Sequence, residues 1–86
     1  DSPWMAIFTL EEGLRFGKGR VLLLVDLGQI YFSQKRYGEA LENYMNAWKL
    51  GNSQGRIGAE NVGNAYYNAG DEAKSQEVYQ RILGRK

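Results

Sequence analysis

The sequence predicts an all-α protein, an α-solenoid of antiparallel helical hairpins with about five helices. Three observations support this fold class. Apolar residues recur at spacings of three and four along most of the chain, which is the period of a helix. Glycine and small polar residues interrupt that pattern at intervals. A similar residue pattern also occurs twice, which indicates a repeated structural unit.

The composition removes several classes of function. The chain has 86 residues, 11 Lys and Arg against 10 Asp and Glu, and no Cys or His. It therefore lacks the residues for disulfides, Cys- and His-based zinc sites, Ser-His-Asp triads and His bases. Its carboxylates are spaced as solvated helix faces and turn charges, which argues against paired-carboxylate catalysis. We expect no enzymatic activity, no cofactor and no metal.

Charge and hydropathy also limit the partners. The formal net charge of +1 provides no dense basic surface for nucleic acid or an anionic membrane. The longest apolar run, from Val21 to Val25, is far shorter than the roughly 20 residues that span a bilayer. We therefore expect no nucleic-acid partner and no membrane insertion. The absence of Cys fits a reducing or an oxidising compartment, so the compartment stays unknown, with the cytoplasm slightly favoured.

The first two helices are predicted from their boundary residues. Residues 1–4 contain neither a basic region nor a signal-like apolar stretch, which indicates an excised or processed boundary. Ser2 followed by Pro3 predicts the start of the first helix, and the Gly-Lys-Gly stretch at 17–19 predicts its end. A second helix is predicted at about 20–34.

Three more helices follow. The third is predicted at about 37–50, where one apolar stripe contains Ala40, Leu41, Tyr44, Met45, Ala47 and Trp48. After turn-forming residues at 51–53, the fourth is predicted at about 55–68. Asp71 is the predicted N-cap of the fifth, which continues to about Leu83. Connections of two to five residues make neighbouring helices antiparallel.

The repeat has an offset of 35 residues. That offset relates Gly28 to Gly63, and it also relates three further pairs, Tyr31 and Tyr66, Tyr44 and Tyr79, and Ala47 and Ile82. A glycine inside a helix costs about 0.5–1 kcal/mol relative to alanine. Gly28 and Gly63 therefore indicate places where a facing helix approaches closely. A non-repeating helical bundle with an ordinary core is the alternative interpretation.

These residues resemble the tetratricopeptide repeat family, whose 34-residue hairpin carries Leu-Gly-x-x-Tyr in its first helix and Ala-x-x-x-Phe/Tyr-x-x-Ala in its second. The unit at 21–54 matches at Leu24, Leu27, Gly28, Tyr31, Tyr37, Ala40, Tyr44, Ala47 and Leu50. The unit at 55–86 matches at Ala59, Val62, Gly63, Tyr66, Gly70, Asp71 and Tyr79. Residues 1–20 then resemble the second helix of a preceding repeat, so the chain is expected to be a piece of a longer array.

The sequence departs from the family pattern at several positions. Lys35-Arg36 stands where the family commonly has Gly-Asp or Gly-Asn, and Asn52 replaces a common Pro. We expect looser helix exits at both places. Ser75 and Ile82 replace small alanines in the second unit.

The resemblance implies a protein-interaction scaffold or adaptor whose first helices line a concave groove for a peptide or a partner helix. Carried over position by position, the groove candidates are Leu22, Val25, Gln29, Phe32, Ile57, Glu60, Asn61, Asn64, Tyr67 and Asn68, with Asp26 and Ser33 in the same set. Amides of this kind bond a peptide backbone, and the apolar members receive apolar side chains. Val25 and Glu60 occupy the positions of basic clamp residues, so a clamp for the acidic C-termini of heat-shock chaperones is not expected.

Two alternatives stay open at this point. The amides can be a solvated face, while the apolar members pack against repeats outside this chain. The chain can also be a structural or self-associating segment of the array with no ligand of its own. Self-association would use an uncapped N-terminal helix that carries Trp4, Ile7 and Phe8.

Overall fold

The computed structural model describes residues 20–84 and contains four helices and no strand in that range. They are α1 (Arg20–Ser33), α2 (Tyr37–Lys49), α3 (Ser53–Asn68) and α4 (Glu72–Gly84). Each helix packs on the next, and α1 also contacts α3, so two hairpins stack side by side. The all-α class and the helical hairpins are confirmed. The expected count of about five helices is one too high for the described range, and the expected first helix lies outside it.

The helix boundaries follow from local capping. The start of α3 is at Ser53, two residues before the expected start, because the Asn52 side chain caps the helix. Its Oδ1 accepts a hydrogen bond from the Gln54 amide at 2.8 Å. Asp71 caps α4 as expected, since its Oδ1 accepts from the Lys74 amide at 3.1 Å.

Both hairpins turn in the same way. Lys35 has a φ of 62°, and Gly70, 35 positions later, has a φ of 87°. In both turns the next amide donates to the carbonyl five residues earlier, at 2.9 Å. The expectation of a looser exit at Lys35-Arg36 was therefore wrong. These hydrogen bonds hold Lys35 in a left-handed conformation that costs a non-glycine residue roughly 1 kcal/mol.

Tyr44 forms the centre of the packing between hairpins. Its ring lies against Gly28 of α1, where an added Cβ would stand 2.6 Å from the ring Cε1 atom, and also against Gly58 of α3. In the second hairpin an added Cβ on Gly63 would stand 2.9 Å from Tyr79 Cε2. Close approach at Gly28 and Gly63 is therefore confirmed, and it is repeated between hairpins as the 35-residue offset predicts.

A continuous core runs through both hairpins. Ala40, Ala47, Ala59 and Val62 are fully buried. The rest of the buried apolar set consists of Leu24, Val25, Leu27, Tyr31, Leu41, Tyr44, Val78 and Ile82. Of the helices in the described range, none is long and apolar enough to cross a membrane. Stability therefore comes from small helix-to-helix interfaces that accumulate along the stack.

Candidate functional site

The predicted groove residues lie on α1 and α3, the first helices of the two hairpins, which contact each other. The ten candidates together with Asp26 and Ser33 are called the α1/α3 face below. The 35-residue offset pairs its members across the two helices, for example Leu22 with Ile57 and Phe32 with Tyr67. Equivalent positions on adjacent helices therefore form rows that cross from α1 to α3.

Three apolar side chains on this face are open to solvent. Leu22 is 67% exposed, Ile57 42% and Tyr67 57%. The other large exposed apolar residues of the described range, Leu50 and Leu83, lie at the C-terminal ends of α2 and α4. Contiguous exposed apolar surface marks interaction sites in soluble proteins. Within residues 20–84, the α1/α3 face is therefore the surface on which exposed large apolar side chains come from two neighbouring helices.

Two predicted apolar members present less surface. Val25 is only 8% exposed and belongs to the core, so it supports the face from below. Phe32 is half-buried because its ring packs edge-on against Tyr37, with centroids 5.3 Å apart. Tyr37 packs in the same manner on Tyr66 of α3, also at 5.3 Å. This aromatic row ties the C-terminal ends of α1 and α3 together.

The amides on the face fall into two groups. Gln29, Asn61 and Asn68 are exposed, and their side chains form no hydrogen bond with other residues of 20–84. Asn64 is different because its Oδ1 accepts from the Tyr79 hydroxyl, which also lies 3.4 Å from the Glu60 carbonyl oxygen. One amide oxygen is therefore already used to join α3 to α4, while three amides can bond to a ligand.

Two observations concern the ionisable groups of residues 20–84. Burial raises the pKa of the Tyr44 phenol above its ordinary value of 10.0, so the hydroxyl stays neutral in the core. Tyr44 lies between the hairpins, with its ring against Gly28 and Gly58. Between residues 20 and 84, no cluster of three or more His, Cys, Asp or Glu residues is arranged to hold a metal ion.

Two surface depressions lie elsewhere and were not predicted from the sequence. One is lined by Tyr31, Arg36, Tyr37, Gly38, Glu39, Glu42 and Asn43, and the other by Leu41, Tyr66, Lys74, Glu77, Val78 and Arg81. Ion pairs engage four of the charged residues that line them. Arg36 pairs with Glu39 at 2.6 Å, and Arg81 pairs with Glu42 at 2.7 Å across the hairpins. No local spacing signals the second pair, because its members are 39 residues apart.

Comparison with known proteins assigns the first hairpin. Residues 22–53 match the family model described as tetratricopeptide repeat, a segment that covers most of α1, all of α2 and the first residue of α3. No curated protein and no solved structure matches the chain. Tetratricopeptide repeats are in general non-enzymatic protein-interaction modules, so the match supports that general role. Residues 22–53 are thus similar to the tetratricopeptide repeat, the family that the sequence resemblance named.

Proposed function

We propose that the α1/α3 face binds a peptide or a partner helix from another protein, and that the chain is a scaffold or adaptor without enzymatic activity. The observation that carries this proposal is the exposure of Leu22, Ile57 and Tyr67 on two adjacent helices. When a partner covers exposed apolar side chains, their removal from water favours binding by about 25 cal/mol of free energy per Å² buried.

The repeat register supports a ligand that extends along the face. The N-terminal row contains Leu22 and Ile57, while the C-terminal row contains Phe32 and Tyr67. Between these apolar rows, Gln29 and Asn61 offer amide donors and acceptors. A peptide main chain has unpaired N–H and C=O groups that match such amides, while its side chains enter the apolar rows.

The test compares two charge-introducing substitutions of similar exposure. Peptides are selected from a displayed random library on the unmodified chain, and their affinities are measured by fluorescence anisotropy. We expect Ile57→Glu to weaken binding by about tenfold or more, because a carboxylate would be buried under the ligand. Leu50→Glu is the matched control, since Leu50 is 51% exposed and lies off the face.

Two results would contradict the proposal. One is equal binding by both variants and the unmodified chain, which would place the ligand elsewhere. The other is failure to select any peptide that binds in solution. Urea unfolding of both variants, followed by circular dichroism, verifies that a lost affinity does not arise from a lost fold.

A second candidate function is self-association, which the exposure of Leu83 favours. Leu83 is 78% exposed, and the 35-residue offset makes it equivalent to Trp48. Trp48 packs on the next helix, since its backbone N would lie 2.5 Å from a Cβ added to Gly55. Against this candidate, Gln76 replaces the buried Leu41 at the neighbouring position of α4. Light scattering at several concentrations tests self-association. If the unmodified chain associates through Leu83, it should form oligomers and Leu83→Glu should stay monomeric. An unmodified chain that stays monomeric would contradict this candidate. The N-terminal residues expected to self-associate, Trp4, Ile7 and Phe8, lie outside the described residues.

A further inference from the structure

The charges on the α1/α3 face restrict the chemistry of its ligand. Asp26 on α1 and Glu60 on α3 place two carboxylates on the face, and no Lys or Arg occupies any of its positions. Asp26 is exposed and Glu60 is half-buried. The face therefore carries negative charge on a chain whose formal net charge is +1.

Neither carboxylate is neutralised by another described residue. Within residues 20–84, Asp26 and Glu60 form no ion pair and accept no side-chain hydrogen bond. Arg56 stands one helical turn before Glu60, but the two form no ion pair. In contrast, Glu39 and Glu42 are both paired with arginines of the other surface. Two carboxylates without an ion pair thus lie on the same face as the exposed apolar side chains, and Glu72 and Glu77 of α4 are exposed and unpaired within the described range as well.

Their register places them between the two apolar rows. Asp26 is equivalent to Asn61 in the repeat, so Glu60 lies one position away from the counterpart of Asp26. On α1, Asp26 follows Leu22 by four residues and precedes Phe32 by six. With a rise of about 1.5 Å per residue, the two apolar rows are about 15 Å apart along the helix, with the carboxylates in the middle.

Covering this face with a ligand has a strong electrostatic consequence. Removing a carboxylate from water without a counter-charge costs free energy. A cation on the ligand offsets part of this cost, because it pairs with the carboxylate. Like charges across an interface also oppose binding of the wrong partner. The same face therefore attracts a basic segment and repels an acidic one.

We infer that the ligand of the α1/α3 face is a segment of a partner protein with Lys or Arg between two apolar side chains. This inference rests on the proposed function, since it names the ligand class of the same face. An extended chain advances about 3.4 Å per residue and alternate side chains share one face, so apolar side chains four residues apart lie about 14 Å apart on that face, close to the distance between the rows. The basic residue between them faces Asp26 and Glu60.

The test uses three fluorescently labelled peptides that differ only in charge. Each has Leu at two positions four residues apart and Ser elsewhere, with the position midway between the two Leu residues occupied by Lys, Gln or Glu. We expect the Lys peptide to bind about tenfold more tightly than the Glu peptide at low salt, with the Gln peptide between them. The preference should shrink at 0.5 M salt because the charges are screened.

Variants assign the preference to specific carboxylates. The double variant Asp26→Asn, Glu60→Gln should bind the three peptides with similar affinity. The control variant Glu72→Gln, Glu77→Gln removes two exposed carboxylates of α4 and should keep the preference for Lys. Urea unfolding of each variant verifies the fold.

The outcomes separate this inference from the proposed function. Equal affinity for the Lys and Glu peptides, or a preference that survives in the double variant, overturns the inference. If Ile57→Glu still weakens all three peptides in that case, the proposed function stands. Absence of binding by all three at millimolar concentration, or affinities that Ile57→Glu leaves unchanged, contradicts both.

Discussion

The packing of Tyr44 leads to a specific prediction at Gly58. A Cβ at this position of α3 would overlap the Cγ, Cδ1 and Cε1 atoms of the Tyr44 ring. These atoms belong to a rigid ring near its attachment point, and the ring also lies against Gly28 on α1. Because Tyr44 is buried in the core, it has little space into which it can retreat. We therefore expect Gly58→Ala to be destabilising, although alanine is a better helix former than glycine.

The magnitude follows from two opposing contributions. Forced overpacking in a core costs typically 1–3 kcal/mol, and the upper value of about 3 applies because three ring carbons are involved. Replacement of a helical glycine by alanine returns about 1 kcal/mol. The net loss in the free energy of unfolding is then about 2 kcal/mol, which lowers the midpoint temperature by about 8–16 °C for a domain of this size.

The assay is urea unfolding followed by circular dichroism, with Gly38→Ala as the matched control. Gly38 lies in α2, and a Cβ added there meets nothing within 4 Å. Gly38→Ala should therefore gain up to about 1 kcal/mol from helix propensity alone. Equal or greater stability of Gly58→Ala would show that the Tyr44 ring can move aside. If Tyr44→Leu does not reduce the cost of Gly58→Ala in a double-mutant cycle, the ring is not the cause of that cost.

Three further predictions concern stability. Lys35→Gly should raise the free energy of unfolding by about 0.5–1 kcal/mol, because glycine adopts the φ of 62° without strain; a loss on urea unfolding would contradict this. Asn52→Ala should cost about 1 kcal/mol by removing the cap of α3, and an unchanged urea midpoint would show that the cap is dispensable. The raised pKa of Tyr44 stabilises the fold fully below the unfolded value near 10.0, and this contribution is lost as the pH rises through the folded pKa. The free energy of unfolding should therefore fall as the pH rises from 10.0 toward the folded pKa of Tyr44. A fall just as steep in Tyr44→Phe would exclude Tyr44 as a cause.

The helices could be predicted because their signals are local. Asp71 and Gly70 mark the turn before α4 by their own chemistry, and the structure gives them those roles. Lys35 shows the limit of local reasoning, because its side-chain type predicted a looser turn. Backbone hydrogen bonds fixed by the hairpin override that preference. Local propensity is a weak guide wherever tertiary contacts decide the conformation.

The tight contacts of Gly55 and Gly58 could not be predicted from spacing. In the sequence, Gly55 marked only the start of a helix, and Gly58 belonged to no pattern shared between the repeats. Their role depends on the distance to α2, which one chain segment alone does not encode. The face was predicted by carrying the family's positions over to this sequence. Val25 shows that this procedure does not predict the exposure of each side chain. A position can belong to the correct helix face and still be covered by its neighbours.

Backbone amide chemical shifts map where a bound ligand contacts the chain. The unmodified chain is titrated with a peptide selected from the displayed library, and the shifts are assigned residue by residue. We expect the largest shifts on α1 and α3, around Leu22, Gln29, Ile57 and Asn61. Shifts concentrated instead around Glu42 and Arg81, between α2 and α4, would contradict binding at the α1/α3 face.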